Sequence, residues 1–354
     1  MVTLGSKLLC SGCFSPIKKE PCKRCGFHEP SYVPDNMVLP VGTILMGNFL
    51  IGKVLGKGGF GITYLAYDVK FDKIIAIKEY FPIELAMRAK GETGLTVRDR
   101  NSAELFKKGV TKFYNEASFV AKFAKNPNVV KVYQFFYENN TAYFTMEFLT
   151  GMTLKDYVNR CGTISAEQAL YIADRIAYAF QDLHGDNVLH RDVSPDNIML
   201  CTDGSVKLLD FGSARQVFPE GSQLLSVILK PGFAPIEQYM RKGKQGPWTD
   251  IYSLGASLYY GLTRQIPENP QNRIEDDSDM ENNIYNIRPE LWQLIYKSMM
   301  VKYTERYSST EEFCQVLAAI PLKRQGIKLP SKLPGAGGDE DSPIKRLLAK
   351  LFGG

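Results

Sequence analysis

An ordered series of short motifs constrains this chain more than any other feature of its sequence. The stretch LGKGGFG at 55–61 contains G-x-G-x-x-G between two β-type runs, and IAIK follows at 75–78. HRD comes at 190–192, with Asn197 five residues beyond its aspartate, and DFG comes at 210–212. Glycine-rich backbone can donate N–H groups to phosphates, a lysine can neutralise them, and carboxylate and amide oxygens can hold a hard divalent cation. The series therefore indicates phosphoryl transfer from a nucleotide.

The glycine stretch alone is ambiguous, because dinucleotide-binding folds share its pattern. In those folds a helix follows the glycines, whereas here the β-type run ITYLAYD follows. No Gly-Lys-Ser/Thr sequence closes the stretch, so it is not a P-loop. Taken together, the motifs resemble those of the eukaryotic-like protein kinase family, specifically its bacterial serine/threonine type. The resemblance covers residues 49–320, about three-quarters of the chain.

The resemblance implies roles for five polar residues. Lys78 corresponds to the strand lysine that binds the α- and β-phosphates, and Glu116 is the best match for its ion-pair partner. Asp192 corresponds to the aspartate that accepts the proton of the substrate hydroxyl. Asn197 and Asp210 correspond to the Mg²⁺ ligands. The implied activity is the transfer of the γ-phosphate of ATP, with Mg²⁺ or Mn²⁺, to Ser/Thr hydroxyls of proteins, including the chain itself, in signalling.

The resemblance also implies the surroundings of the nucleotide. They comprise the glycine-rich stretch, three residues that would sandwich the adenine ring, and a hinge whose first residue is the gatekeeper. These residues are Leu55, Gly56, Lys57, Gly58, Gly59, Phe60, Gly61, Thr63, Ala76, Met146, Glu147, Leu149 and Met199. Thr63 stands where the family usually has Val, which is a near-isosteric change.

Two positions depart from the family pattern. Ser194 stands two residues past Asp192, where Ser/Thr kinases normally place a lysine that contacts the γ-phosphate. Lys230, in LKPGF, stands where a hydroxyl residue is expected. In the family these two positions lie beside the catalytic aspartate, so we hypothesise an exchange in which Lys230 supplies the positive charge and Ser194 the hydroxyl. The alternative is a solvated Lys230 with the γ-phosphate held by the metal alone.

Other matches concern support of the site. Glu237 resembles the glutamate that ends the activation segment, and Arg306 resembles the arginine that pairs with it. Asp250 matches the helix aspartate that anchors the backbone of the catalytic loop. We expect His190 to be a packing residue against Phe211 rather than an acid or base. The Glu237 region argues for a protein kinase over a small-molecule kinase.

Four of the seven cysteines lie within the first 25 residues, as Cys10-x-x-Cys13 and Cys22-x-x-Cys25. Two such pairs can complete a tetrahedral shell of thiolates, which predicts a structural Zn²⁺ site without an open ligand position. The alternatives are a redox CxxC or two disulfides. His28 could replace one cysteine as a ligand, but a solvent-exposed His28 is the simpler interpretation. The odd cysteine count in a long chain favours a reducing, cytoplasmic location over a secreted disulfide scaffold.

The order of patterns predicts an α+β chain with a bilobal kinase fold behind a small zinc-ribbon-like module. The module is assigned to 1–34, a Pro-rich linker to 35–48, the kinase domain to 49–320 and a basic, largely disordered tail to 321–354. Within the kinase domain, a β-rich N-lobe would cover 49–148 and an α-rich C-lobe 149–320. The helical stretch 103–124 would turn one apolar face inward, made of Phe106, Val110, Phe113, Ala117, Val120 and Phe123.

Charge and the chain ends limit the partners that are expected. The net charge of +5 resides in the two ends, so the body gives no electrostatic case for nucleic acid. IKRLLAKLFGG at 344–354 could form a basic amphipathic helix that touches a membrane surface or the protein's own body, or it could be an unstructured end. The zinc module is expected to bind a protein partner. Ser194 and Lys230 keep a second interpretation open, that of a pseudokinase or nucleotide-dependent scaffold.

Overall fold

The computed structural model of the chain describes residues 1–4, 7–32, 37–211, 215–216, 229–274, 277, 287–321 and 323–329. These residues fall into two units, one made of 1–122 with 131–150 and the other of 123–130 with 151–329. The predicted amphipathic stretch at 344–354 lies outside the described residues. In the part of the chain that is described, no helix combines the length and apolarity needed to cross a bilayer.

The first unit is built on antiparallel strands. Its elements are β1 (Val2–Leu4), β2 (Lys7–Leu9), β3 (Ile44–Leu45), β4 (Phe49–Gly58), β5 (Gly61–Asp68), β6 (Lys73–Tyr80), β7 (Ala86–Met87), β8 (Thr96–Val97), α1 (Arg100–Ala121), β9 (Val132–Glu138) and β10 (Thr141–Glu147). Six strands form one sheet in the order β3-β4-β5-β6-β10-β9, while β1 pairs with β2 and β7 with β8. Strand β5 contains the β-type run ITYLAYD that the sequence predicts after the glycine-rich stretch.

Side-chain alternation gives this sheet two apolar faces. On β5, Ile62, Tyr64 and Ala66 are buried in the main core of the unit, whereas Leu65 and Tyr67 belong to a separate cluster on the opposite face. This is the two-residue period of a strand covered on both sides. Helix α1 packs on the face that carries Lys78, where the Phe113 ring lies 4.9 Å from that of Phe144, the cross-strand partner of Lys78.

Helix α1 begins where Asp99 caps it, because the Asp99 side chain accepts a hydrogen bond from the Ser102 N–H. Four residues of the predicted inward face, Phe106, Phe113, Ala117 and Val120, are buried, and Val110 is half-buried. Phe123 is buried as well, but it lies beyond the helix end. The 3.6-residue period therefore identified the buried face correctly.

A buried ion pair lies inside the first unit. Arg88 and Glu79 pair with fully buried side chains, and the hydroxyls of Tyr64 and Tyr143 donate to Glu79 at 2.8 and 2.7 Å. Burial first, and then the Glu79 charge, raises the pKa of both tyrosines. Because a buried carboxylate is costly unless it is paired and hydrogen-bonded, this group of four residues fixes β5, β6 and β10 in register.

The stretch predicted as a linker contributes to the core of the first unit. Val38, Leu39 and Leu45 are buried there, and the Leu39 N–H donates to the Tyr64 hydroxyl at 3.1 Å. The turn residues around Pro40 led to the prediction of a linker, because turn-rich composition gives no signal for single buried side chains.

The second unit is mainly helical. Its elements are β11 (Gly151–Thr153), α2 (Leu154–Cys161), α3 (Ala166–Gly185), β12 (Val188–Leu189), β13 (Ile198–Cys201), β14 (Val206–Leu208), β15 (Arg215–Gln216), α4 (Ile236–Tyr239), α5 (Pro247–Thr263), α6 (Pro289–Ser298) and α7 (Thr310–Ala319). Helix α3 starts at a capping box of Ser165 and Gln168. Helix α5 is buried over nearly its whole length, so it forms the centre of this unit.

Candidate active site

In the first unit, the lysine and glutamate predicted to pair do so. The Lys78 Nζ lies 3.0 Å from Glu116 Oε1, and both side chains are largely buried. Lys78 is on β6 and Glu116 is on α1. A lysine held in this way has a fixed ammonium group and a compensated charge, as phosphate binding in the kinase arrangement requires.

One face of the sheet carries the predicted nucleotide contacts. Thr63 is the cross-strand partner of Lys78, and Met146 is that of Ala76. Ala76 and Lys78 are two residues apart on β6, so these four side chains share one face. The hinge residue Glu147 continues β10 and pairs with Ile75. The structure therefore gathers the first four of these residues on one face of the sheet, and Glu147 follows at its edge.

The glycine-rich stretch forms the hairpin between β4 and β5. Gly56 pairs with Thr63, Lys57 with Ile62 and Gly58 with Gly61. A Cβ at Gly61 would lie 2.6 Å from the Glu79 carbonyl oxygen, so this position excludes a side chain. The other members of the stretch, from Leu55 to Phe60, are exposed. An exposed glycine hairpin leaves its backbone open to a ligand.

In the second unit, the Asp250 side chain binds the backbone of the catalytic loop. The fully buried Asp250 carboxylate accepts the N–H groups of His190 and Arg191, both at 2.8 Å. His184 Nε2 lies 2.9 Å from the same carboxylate. Burial alone would raise the pKa of Asp250, but the hydrogen bond and charge of His184 together with the backbone donors hold it below its usual value. The predicted anchoring role is what the structure shows.

His190 is the packing residue that the sequence predicts. Its ring meets that of Phe211 edge-on at a centroid distance of 4.6 Å. Its Nε2 lies 3.0 Å from the Leu209 carbonyl oxygen, and its Nδ1 accepts the Asp192 N–H at 3.3 Å. These contacts assign the proton to Nε2, so the ring is neutral. Complete burial lowers the pKa of His190, against the raising effect of nearby Asp250 and Asp192.

Asp192 and Asn197 lie in direct contact. Asn197 Nδ2 donates to the Asp192 carbonyl at 2.7 Å and to its carboxylate at 3.0 Å. Burial raises the pKa of the Asp192 carboxyl, and the charge of Lys230 counteracts this rise. The carboxylate is thus oriented by an amide and lies beside an ammonium group whose charge favours the ionised form, an arrangement suited to accepting a proton.

Lys230 and Ser194 meet, as the exchange hypothesis requires. Lys230 Nζ donates to Ser194 Oγ at 2.7 Å and lies 3.3 Å from Asp192 Oδ1. Ser194 is fully buried, whereas the Lys230 side chain is 32 % exposed. Asp196 Oδ2 is also within 4.0 Å of the ammonium group. The lysine therefore places a positive charge beside Asp192 from a different segment of the chain than the family uses.

Asp210 follows β14 in a backbone conformation that few residues adopt. Its φ is +53°, and Arg191 in the catalytic loop has a φ of +65°. Non-glycine residues in this region concentrate at functional sites. The preceding residue is fixed, because the Leu209 N–H donates to the Asn197 carbonyl at 2.8 Å. Met199 lies on β13 and pairs with Lys207 on β14. Asn197 directly precedes β13 and Asp210 follows β14, so all three residues lie on or next to one hairpin.

Glu237 and Arg306 form a bidentate pair. The two guanidinium nitrogens lie 2.8 and 3.1 Å from the two carboxylate oxygens, and both side chains are buried. Thr249 Oγ1 donates to the same carboxylate at 2.9 Å. The pairing that the resemblance implied is therefore present, and it ties the segment containing Lys230 to the helical body of the second unit.

The four N-terminal cysteines come together. Their sulfur atoms all lie within 4.8 Å of one another, with Cys10 and Cys25 separated by 3.6 Å and Cys13 and Cys22 by 3.8 Å. A tetrahedron with Zn–S bonds of about 2.3 Å has edges of about 3.8 Å, whereas a disulfide needs about 2.05 Å. The cluster is therefore compatible with zinc and contains no disulfide. His28 is exposed outside this set.

Outside this cluster, Cys201 is buried, Cys314 is half-buried and Cys161, at the end of α2, is exposed. Sequence reasoning also missed His184, which bridges Asp250 and Thr310, with its Nδ1 at 2.6 Å from Thr310 Oγ1. Only the rarity of histidine in this chain could have drawn attention to His184, because no spacing relates it to Asp250.

Comparison with known proteins agrees with this geometry. Residues 49–325 match the protein kinase domain family. Serine/threonine-protein kinase D of Synechocystis sp. is 29 % identical over 287 residues, which cover 78 % of this chain and 53 % of that protein. Serine/threonine-protein kinase PrkC of Bacillus subtilis is 30 % identical over 227 residues, covering 64 % of this chain and 32 % of PrkC. The chain thus spans about half or less of these relatives.

A solved structure, the apo form of PpkA-294, matches with a TM-score of 0.70 and 33 % sequence identity. The match covers 79 % of this chain and 99 % of that one.

Protonation of His190 should destabilise the protein. Folding lowers the pKa of His190, so below the unfolded pKa of about 6.5 the unfolded chain binds a proton that the folded protein does not. The stability of the folded state is therefore unaffected by this residue above that pH and decreases as the pH falls below it. We expect the free energy of unfolding to fall by up to about 1.4 kcal/mol per pH unit below that value on account of this residue. Urea unfolding at a series of pH values measures the slope. His190→Gln should reduce the slope, and an equal slope in both proteins would contradict the neutral, buried state of this ring.

Proposed function

Since the chain belongs to the protein kinase domain family, we propose that it transfers the γ-phosphoryl group of ATP to serine or threonine hydroxyls of proteins, its own included. The observation that carries the proposal is that Asn197 and Lys230 each lie within hydrogen-bonding or ion-pair distance of the Asp192 carboxylate. A carboxylate, a metal-binding amide and a cation are the groups that phosphoryl transfer needs at the reacting end.

The reaction balances through Asp192. The substrate hydroxyl oxygen forms a bond to the γ-phosphorus, and the bond from that phosphorus to the β–γ bridging oxygen breaks, with its electron pair leaving on ADP. The hydroxyl proton passes to the Asp192 carboxylate. Its raised pKa, caused by burial, makes it a better proton acceptor than an exposed aspartate. Asn197 keeps this carboxylate oriented through its Nδ2 contact.

Asn197 and Asp210 would hold Mg²⁺ or Mn²⁺. Both offer hard oxygen donors, and because Asn197 Nδ2 donates to Asp192, its Oδ1 would be the ligand atom. When bound, the ion neutralises charge on the phosphates. The metal-binding oxygens are supplied by this chain on backbone that is fixed by the Leu209–Asn197 hydrogen bond.

The nucleotide itself would be bound by the first unit. The Lys78 ammonium, already paired with Glu116, would contact the α- and β-phosphates, and the glycine hairpin at 55–61 would donate backbone N–H groups. Thr63 and Ala76 would contact the adenine ring. The hinge at 146–149 would offer main-chain groups to the edge of the base.

Lys230 would take the place of the catalytic-loop lysine. Its ammonium group lies beside Asp192 and is oriented by Ser194 Oγ. A cation held there stabilises the charge that develops on the transferred phosphoryl oxygens without needing to move. This arrangement explains why a chain with serine at position 194 can still be an active kinase and not a pseudokinase.

The four-cysteine cluster would hold a structural zinc ion. Its sulfur spacing fits the tetrahedron, and short segments of this kind cannot bury a core large enough to fold without metal. Thiols kept as ligands persist in a reducing compartment, which supports a cytoplasmic location.

Replacing the proton acceptor tests the proposed reaction. Asp192→Asn removes the carboxylate while it keeps the shape of the side chain, so we expect transfer of labelled γ-phosphate to a generic basic protein to fall about 10²–10⁴-fold. Lys302→Ala, at a strongly exposed surface lysine, is the control and should retain full activity. Wild-type protein without transfer, or an Asp192→Asn variant with undiminished transfer, would contradict the proposal.

Exchanging residues 194 and 230 tests the role of Lys230. Lys230→Ala should lower kcat about 10²-fold, because a fixed cation at the transferring group is lost. The double variant Ser194→Lys with Lys230→Thr returns the lysine to the position that the family uses, and it should recover most of the lost kcat. Steady-state kinetics of the wild type, of Lys230→Ala and of the double variant measures these changes in kcat. Undiminished turnover in Lys230→Ala would exclude the exchange.

Metal analysis tests the zinc site. We expect one zinc ion per purified chain, and replacement by Co²⁺ should give the absorption of a tetrahedral thiolate complex. Cys22→Ser should lose most of the metal, since three thiolates remain. Cys161→Ser, at an exposed thiol outside the cluster, should keep a full equivalent. Metal-free wild-type protein with free thiols would contradict the assignment.

A further inference from the structure

The module at residues 1–32 packs against the sheet of its own unit. Phe14 is completely buried, and its ring lies 5.7 Å from that of Tyr67. Val2 and Leu9 of the module share a buried cluster with Leu50 and Leu65 of the sheet. The sequence predicted a protein partner for this module, but the apolar face that it buries here is covered by the chain itself.

The contact extends to the backbone of β4. The carbonyl of Ser11, which lies between Cys10 and Cys13, accepts the Lys53 N–H at 2.9 Å. The Tyr32 hydroxyl accepts the Val54 N–H at 2.9 Å. The pairing of β4 with β5 shifts register between Ile51 and Val54 and again before Gly56. The module therefore supplies acceptors where the strand leaves regular pairing.

Gly52 shows how close this approach is. A Cβ at this position would lie 2.5 Å from the Ser11 carbonyl oxygen and 2.9 Å from the Phe14 ring. The backbone of Gly52 is not in the left-handed region, so only the module excludes a side chain there. The Cys10–Cys13 turn thus rests directly on the strand, four residues before the first glycine of the glycine-rich stretch.

The contact surface also adjoins the proposed nucleotide surface. Leu65, covered by the module, is two residues from Thr63 on β5 and is the cross-strand partner of Ala76. Leu65, Thr63 and Ala76 consequently share one face of the sheet. Phe148 of the hinge packs against the same cluster. The module therefore contacts the strand that leads to the glycine hairpin and the neighbours of the adenine-binding residues.

We propose that the four-cysteine module is an internal brace, in which the Ser11 carbonyl and the Tyr32 hydroxyl position β4 and thereby the glycine-rich hairpin for ATP. The inference rests on the proposed function for its consequence in ATP binding. Ser11 and Tyr32 are positioning residues: they act through β4 and do not touch the nucleotide. Zinc acts by keeping the Cys10–Cys13 turn folded against Gly52, so metal occupancy sets the affinity for ATP.

Two variants separate the brace from general stability. Gly52→Ala pushes the turn away from β4 while all four thiols remain, and Tyr32→Phe removes one acceptor while the ring is kept. Each should raise KM for ATP about 3–10-fold, the effect of one or two lost hydrogen bonds, with kcat nearly unchanged. The controls are Gly185→Ala, where a Cβ meets nothing within 4 Å, and Tyr114→Phe at an exposed tyrosine.

Hydrogen exchange supplies a readout that is independent of activity. The amides of Lys53 and Val54 should be protected in the zinc-loaded protein and should lose protection in Gly52→Ala or after zinc is removed with a chelator. In Tyr32→Phe only the Val54 amide should lose protection. Unchanged protection and unchanged KM in Gly52→Ala would overturn the brace. If the wild-type protein transferred no phosphate, the proposed function would fail, and the exchange measurement alone would decide whether the module braces β4.

Discussion

Buried carboxylates that must be paired organise this chain. A carboxylate removed from water is tolerated only when donors surround it, and three of them are placed where the function needs rigidity. Asp250 accepts two backbone N–H groups of the catalytic loop. Glu237 is held by Arg306, and Glu79 by Arg88 with two tyrosines. Each pairing joins segments distant in sequence, and the first two fix the backbone from which Asp192 and Lys230 project.

In the proposed function, this framework lets one departure from the family pattern compensate for another. The segment with Lys230 is secured close to Glu237, and the loop with Ser194 is secured by Asp250. Two fixed segments can exchange a lysine and a hydroxyl and still bring them to 2.7 Å. The electrostatic requirement at the reacting phosphate concerns where the charge lies, and the chain position that supplies the charge is secondary.

Much of this was predictable from sequence, for identifiable reasons. Strand alternation and the helical period depend on local order, so strand β5 and the buried face of α1 were found. Glu237 with Arg306 and Asp250 with the catalytic loop came from the family resemblance. The Arg88–Glu79 pair and the contact of Ser11 with Gly52 were missed, because they depend on which segments meet in three dimensions. Gly52 has no special backbone angle, so its sequence context gave no signal.

The position of the four-cysteine module changes the interpretation of the N-terminal segment. A module with its own metal is usually expected to recruit a partner, yet here its apolar side chains complete the cluster around Leu50, Leu65 and Tyr67. In the proposed function, the second unit carries the groups for proton acceptance and metal binding, and the first carries the groups for the nucleotide together with the proposed brace.

We propose that Asp192 and Lys230 take part in the transfer of a phosphoryl group from ATP to a hydroxyl. The most direct measurement incubates the wild-type protein with MgATP that carries ¹⁸O in its γ-phosphoryl group and identifies phosphorylated residues by mass spectrometry. We expect phosphoserine or phosphothreonine bearing the isotope, on the chain itself or on an added protein. Bound nucleotide without any isotope-labelled phosphoserine or phosphothreonine would contradict it.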